Sequence, residues 1–152
     1  MLQRIQTVYL FVAFLISFAL YIWPIAVFRT LDDKVILYVK GMHNAAGDNI
    51  ASYYPYLILS GIISFLILFQ VFNFKKRIRQ MQTGKVIIIL NLLWYVMGGV
   101  YVFNYFKTFE VFSQGRPLIA VFVPLLIILF IYLANKNIKK DEDLVKSVDR
   151  IR

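Results

Sequence analysis

The chain has 152 residues, of which 61% are hydrophobic, with a mean hydropathy of +0.71 and a formal net charge of +9. A soluble chain of this length has too few polar side chains to cover so much apolar surface, so a soluble globular domain is excluded and a single membrane domain is expected. The absence of cysteine and the single histidine, His43, exclude disulfides, thiolate metal sites and multi-histidine zinc sites.

The first element is an uncharged stretch from Ile5 to Phe28, preceded only by Arg4. It exceeds the roughly 20 residues that cross a ~30 Å hydrocarbon core. Its apolar run is too long for the ~7–15 residues of a signal-peptide core, and it ends in WPIAVFRT without a small-x-small cleavage site. It reads as a retained first span.

A polar loop follows. Within it KVILYVKG, residues 34–41, is β-branched and aromatic and reads as a strand, while MHNAAGDN, residues 42–49, reads as a turn-rich connector whose His43, Asn44 and Asp48 meet water. The second span covers Tyr53 to Phe74, with Tyr53, Tyr54 and Tyr56 at its boundary, where amphipathic rings are favoured. Ser60, Gly61 and Ser64 give it a small face suited to helix packing. KKRIRQMQTGK, residues 75–85, reads as a basic loop. The third span covers Val86 to Phe106. Asn91 and the Gly98–Gly99 pair are its packing residues, and Trp94 packs mid-span in the bundle or on a partner helix. KTFEVFSQG, residues 107–115, alternates and is expected to pair with the first loop's strand in a small sheet over the helix ends. The fourth span covers Pro117 to Asn135. Pro24 and Pro124 are expected to kink the first and fourth spans. The spans are apolar on every face, so they are helices rather than barrel strands, and the fold class is an all-α membrane protein, a four-transmembrane-helix bundle.

Residues 136–152 form a charged tail with no Gly or Pro to stop the fourth helix. Leu144, Val148 and Ile151, widened by Val145, form an amphipathic stripe that needs a surface. Either the helix continues as a rod, or it breaks near Asn135–Asn137 and lies along the membrane.

Lysine and arginine counts set the topology. Twelve lie on the side holding both termini and five in the two other loops, so both termini are expected in the cytoplasm. That distribution points to the bilayer as partner rather than to nucleic acid. The spans contain no Asp, Glu, Lys, Arg or His, which disfavours a proton relay or pump. No nucleophile–base pair, phosphate loop or metal cluster is evident, so no catalytic residue, cofactor or metal is assigned. Acids for a lipid-modifying enzyme would have to come from Asp32, Asp33, Asp48, Glu110 or the tail.

The opening MLQRIQTVYL and the closing KKDEDLVKSVDRIR resemble the two end motifs of an uncharacterised family of small four-span membrane proteins from Bacteroidota. Gln3, Arg4, Ile5 and Gln6 carry the first motif. Asp141, Glu142, Leu144, Val145, Lys146, Asp149, Arg150 and Arg152 carry the second. The resemblance covers the whole chain and implies a multi-pass inner-membrane protein without catalytic residues to transfer.

The expected function is a non-enzymatic accessory subunit stabilising a larger membrane hetero-complex, with envelope biogenesis or protein translocation as the candidate setting. Gln3, Arg4, Gln6, Asp141, Glu142, Leu144, Val145, Val148, Asp149, Arg150 and Arg152 are its candidate partner-binding residues. A small transporter or channel component and a lipid-modifying enzyme are the alternatives.

Overall fold

The structure, a computed structural model, describes residues 3–29, 34–74, 76–109 and 114–149. Five α-helices and a five-stranded sheet make it up. In order they are α1 (Gln3–Ser17), α2 (Ala19–Ile22), β1 (Ala26–Arg29), β2 (Lys34–Tyr38), β3 (Gly41–His43), β4 (Asn49–Ser52), α3 (Tyr54–Phe72), α4 (Arg77–Phe109), β5 (Gln114–Pro117), a 3-10 turn (Ile119–Phe122) and α5 (Val123–Asp149). Four helical stretches are long and apolar enough to cross a membrane: Ile5–Ile22, Tyr54–Phe72, Arg77–Asn104 and Ile119–Ser147.

The helices run up and down, with α1 beside α3 and α5, and α4 beside the same two, closing a four-cornered bundle. Each helix buries one seam spaced by fours and threes. The seams are Gln6, Leu10, Ala13, Ser17 and Leu20 on α1–α2; Tyr56, Ser60, Ile63, Ile67 and Gln70 on α3; Gln80, Gly84, Ile87, Asn91 and Trp94 on α4; and Ile127, Ile131, Ala134, Ile138 and Asp141 on α5. An alternating four–three spacing keeps one line of side chains facing the neighbours at the shallow crossing of left-handed bundles. Side chains off the seam, such as Ile58, Phe65, Ile89, Val96 and Leu129, are apolar and exposed. That surface is unfavourable in water and matches hydrocarbon.

One end of the bundle carries the sheet, in the order β4-β3-β2-β1-β5, every pair antiparallel. Pro117, Ala26, Leu37, Met42 and Ala51 form one cross-strand row. Ala26, Leu37 and Met42 of that row are buried, as are Phe28 and Val35 beside it, and this face closes the core. Gly41 permits the turn between β2 and β3. Its φ is +150°, and a Cβ there would meet the Ala51 carbonyl oxygen at 2.1 Å.

Several boundaries differ from the sequence reading. The first helical span stops at Ile22 rather than Phe28, because Trp23 turns extended before Pro24. Pro24 therefore ends the helix instead of kinking it. Beyond it Ala26 and Phe28 of β1 are buried on the face of the sheet that closes the core. Pro124 sits in the first turn of α5, where its missing N–H costs nothing, so it starts that helix rather than bending it. Pro117 closes β5, two residues before the fourth apolar stretch begins.

The expected sheet is present with different partners. β2 pairs with β1 and β3, all within the first loop, and β5 pairs with β1 rather than with β2. Residues 107–109 of KTFEVFSQG close α4 and Gln114 and Gly115 lie in β5, while residues 110–113 lie outside the described residues. Nor is KKRIRQMQTGK a loop, since α4 begins at Arg77. Helix needs only paired backbone groups, and polar side chains leave those undisturbed in water. Between Asn44 and Asp48 the turn reading holds: the Asn44 Oδ1 accepts from the Asp48 N–H at 2.7 Å, and its Nδ2 donates to the Asp48 carboxylate at 3.1 Å.

Candidate functional site

The end of the bundle opposite the sheet gathers α1's first turns, the close of α3, the start of α4 and the end of α5. α5 runs 27 residues without a break, so Asn135–Asn137 is helical and the rod is the form observed. At 1.5 Å per residue it is ~40 Å long and continues ~21 Å past Asn135.

A layer of amides ties three helices together at Asn135. Gln70 of α3 and Gln80 of α4 exchange bonds, each side-chain NH₂ donating to the other's backbone carbonyl at 3.0 and 3.1 Å. The Gln70 NH₂ also donates to Asn135 Oδ1 at 3.2 Å, and Asn135 Nδ2 donates to the Met81 carbonyl at 3.4 Å. Gly84 makes the layer fit, because a Cβ there would lie 2.3 Å from Asn135 Nδ2. Sequence reasoning missed Gln80 and Gly84 by treating their segment as a loop. The signal was the four–three spacing 80-84-87-91-94, which crosses from the charged run into the apolar one.

One and a half turns further along α5, the two end motifs meet. Gln6 Nε2 donates to the Asp141 carboxylate, with both side chains buried at 6% and 7% exposure. Beside them Glu142 lies 3.7 Å from Arg77 of α4 and 3.6 Å from Lys146 one turn on. α1, α4 and α5 are thus pinned at one level by residues far apart in the chain.

Past that level the seam continues uncovered among the described residues. Leu144 and Val145 are 50% and 44% exposed. The described part of α5 extends ~12 Å beyond Asp141, whereas that of α1 extends only ~5 Å beyond Gln6. The apolar stripe therefore lies on the face that α1 occupies higher up. Gln3, Arg4, Val148 and Asp149 lie on these helices with their side chains outside the described residues, and Arg150 and Arg152 lie outside them entirely.

The packing residues of the middle spans fall into two groups. Ser60 accepts a hydrogen bond from Trp94 Nε1 at 2.9 Å and donates to the Tyr56 carbonyl at 2.9 Å, while the Tyr56 ring stacks on Trp94 at 4.6 Å. Gly98 leaves room for that tyrosine, whose hydroxyl lies 2.9 Å from where its Cβ would stand. Ser64 lies 3.4 Å from the Tyr21 hydroxyl, and the buried Asn91 donates to the Ile87 carbonyl at 2.8 Å within its own helix. Gly61 and Gly99, by contrast, face outward: the first has only the Tyr21 hydroxyl at 4.0 Å and the second nothing within 4 Å. No group of three or more metal-ligating side chains occurs among the described residues. Of the loop acids, Asp32, Asp33 and Glu110 lie outside them, and Asp48 is taken up in its turn.

A family model described as "Domain of unknown function (DUF4293)" matches residues 2–151, so the chain belongs to that family. No curated protein and no solved structure matches the chain significantly.

Proposed function

We propose that this member of the DUF4293 family is a non-enzymatic inner-membrane subunit with both termini in the cytoplasm. In this reading it stabilises a larger membrane hetero-complex by lending the α5 seam to a helix of another integral membrane protein. The observation that carries the proposal is the exposure of Leu144 and Val145 on the face where α5 already holds α1. A seam that binds a helix at one level presents the same knobs and holes to a helix at the next. Burying the exposed half of two such side chains is worth about 1.5–3 kcal/mol before ordering costs, enough to bias assembly of chains already held in one membrane.

The orientation rests on the clustering of Lys76, Arg77, Arg79, Lys85, Lys136, Lys139, Lys140 and Lys146 at the end opposite the sheet. A non-catalytic role draws support from the use of the buried polar side chains. Gln6, Gln70, Gln80 and Ser60 each make a hydrogen bond to a neighbouring helix.

The test is purification from native-level expression in mild detergent, with a photo-crosslinker at position 144 or 145 and mass spectrometry of the adduct. The expected result is one integral membrane protein crosslinked at those positions. Without the crosslinker, co-purification of that protein should be lost in Leu144→Lys/Val145→Lys and weakened when Asp149 and Arg150 are both changed to alanine. A chain that purifies alone, or a co-purifying protein indifferent to these changes, refutes the reading.

A further inference from the structure

The opposite end of the molecule holds a cleft that the partner proposal does not use. It measures about 450 Å³ and lies on the second face of the sheet, away from the buried row. Tyr21 of α2, Ile36 and Tyr38 of β2, Lys40, His43 of β3 and Asn44 line it, and the turn of residues 45–47 closes one side. Two separate parts of the chain, α2 and residues 36–47, therefore build its walls.

Its chemistry is one-sided. Among the described residues the lining includes a lysine, an imidazole, an amide and two phenols, and no carboxylate. Asp48, next in sequence, has its carboxylate engaged by Asn44. His43 sits where the β3–β4 register shifts, a bulge of the kind that re-aims a side chain. The Tyr38 ring and its imidazole stand nearly perpendicular, 5.4 Å between centroids. His43 Nδ1 is buried and has no hydrogen-bond partner, although buried polar atoms are nearly always paired. A lysine and a histidine lining one cleft, with no acid among its described lining residues, match a small anionic group with several acceptor oxygens.

The surroundings choose among anions. Tyr21 belongs to the last helical turn before the sheet, and Ile22 and Trp23 after it are 70% and 54% exposed. An exposed tryptophan at a helix end marks the depth of lipid headgroups. Ile36, Ala45, Ala46 and the tyrosine rings give the cleft an apolar side.

We propose that this cleft binds the phosphate group of an anionic phospholipid, with Lys40 and His43 on the phosphate oxygens and Tyr21 and Ile36 against the glycerol and upper acyl chain. The reading is independent of the α5 partner seam. It gives the sheet a function, anchoring one headgroup where the helices leave the hydrocarbon.

The single histidine makes the test direct, because one imidazole signal reports one site. The full chain, labelled at histidine and held in zwitterionic micelles, is titrated with short-chain phosphatidylglycerol, and separately with inorganic phosphate. Saturable movement of the His43 signals with phosphatidylglycerol is expected, at least tenfold weaker in Lys40→Gln and unchanged in Arg116→Gln, an exposed cation on β5 outside the cleft. Equal saturation by inorganic phosphate at the same concentrations would make free phosphate, not lipid, the ligand and overturn the lipid assignment. No saturable shift with either probe, or equal loss in Lys40→Gln and Arg116→Gln, would overturn the site. Unaltered imidazole signals of the unliganded Lys40→Gln chain show that its sheet is intact. If they are altered, Lys40→Arg, which keeps the charge, must retain saturation for the proposal to stand.

Discussion

Gly84→Ala sets two effects of opposite sign against each other. Helix propensity favours the alanine by about 1 kcal/mol, so a reader of sequence alone expects a more stable α4. The structure argues the reverse. The new Cβ would stand 2.3 Å from Asn135 Nδ2, 2.5 Å from its Oδ1 and 2.8 Å from its Cγ, so the whole amide must leave. Asn135 then gives up the bond it accepts from Gln70 and the one it donates to the Met81 carbonyl. A buried polar group left unpaired costs about 1–3 kcal/mol, and Gln70, fully buried, already has its Oε1 unpaired. The loss of about 2–4 kcal/mol outweighs the propensity gain, leaving a net destabilisation of about 1–3 kcal/mol. Reversible unfolding in mixed micelles, followed by circular dichroism, measures it. The control is Asn135→Ala, which clears the space. In that background Gly84→Ala should stabilise by about 1 kcal/mol, giving a coupling of a few kcal/mol between the two sites. Additive effects, or a Gly84→Ala chain at least as stable as the parent, would refute the reasoning.

The same measurement separates several other residues. Asp141→Ala should cost about 1–3 kcal/mol by stranding the buried Gln6 amide, whereas Asp141→Asn keeps an acceptor oxygen there and should cost under about 1 kcal/mol. Gly98→Ala and Gly99→Ala should move in opposite directions. The first drives a Cβ into the Tyr56 hydroxyl and disturbs its stack on Trp94, while the second meets open space and should gain about 0.5–1 kcal/mol. Gly41→Ala should open the sheet, since a positive φ and a backbone oxygen at 2.1 Å leave its Cβ no escape, and amide exchange at Met42 and Ala51 should accelerate by at least tenfold.

What the sequence disclosed follows from what each signal measures. An uncharged run of about 20 residues reports preference for hydrocarbon, and that placed all four long helices. The same signal cannot report where helix stops. Ala26 and Phe28 are apolar because they lie on the face of the sheet that closes the core, and nothing in IAVF distinguishes that burial from lipid. Hydropathy misled in the opposite sense at KKRIRQMQTGK, where a helix continues into polar surroundings because its backbone is paired internally. That the tail carries on as helix was legible from its lack of a Gly or Pro stop, which made the continuous rod one of the two expected forms. That Asp141 rather than an apolar residue enters the α1 contact was not, since its partner Gln6 lies 135 positions away.

The buried polar residues explain why the bundle has one register. An apolar seam repeating by fours and threes returns to itself every seven residues, so packing alone barely resists a slip of α5 by one heptad. The polar residues do resist it. A slip one way sets Ala134 opposite Gln6 and Ile128 in the place of Asn135, leaving the amides of Gln6 and Gln70 without those partners. A slip the other way sets Val148 opposite Gln6 and drives the Glu142 carboxylate against Gly84 and the Gln70–Gln80 pair. Each alternative strands a polar group or buries a charge, at about 1–3 kcal/mol or more apiece. Sited at the basic end, this polar layer fixes how far α5 projects beyond α1. It therefore sets the position of Leu144 and Val145, the residues on which the proposed partner contact depends.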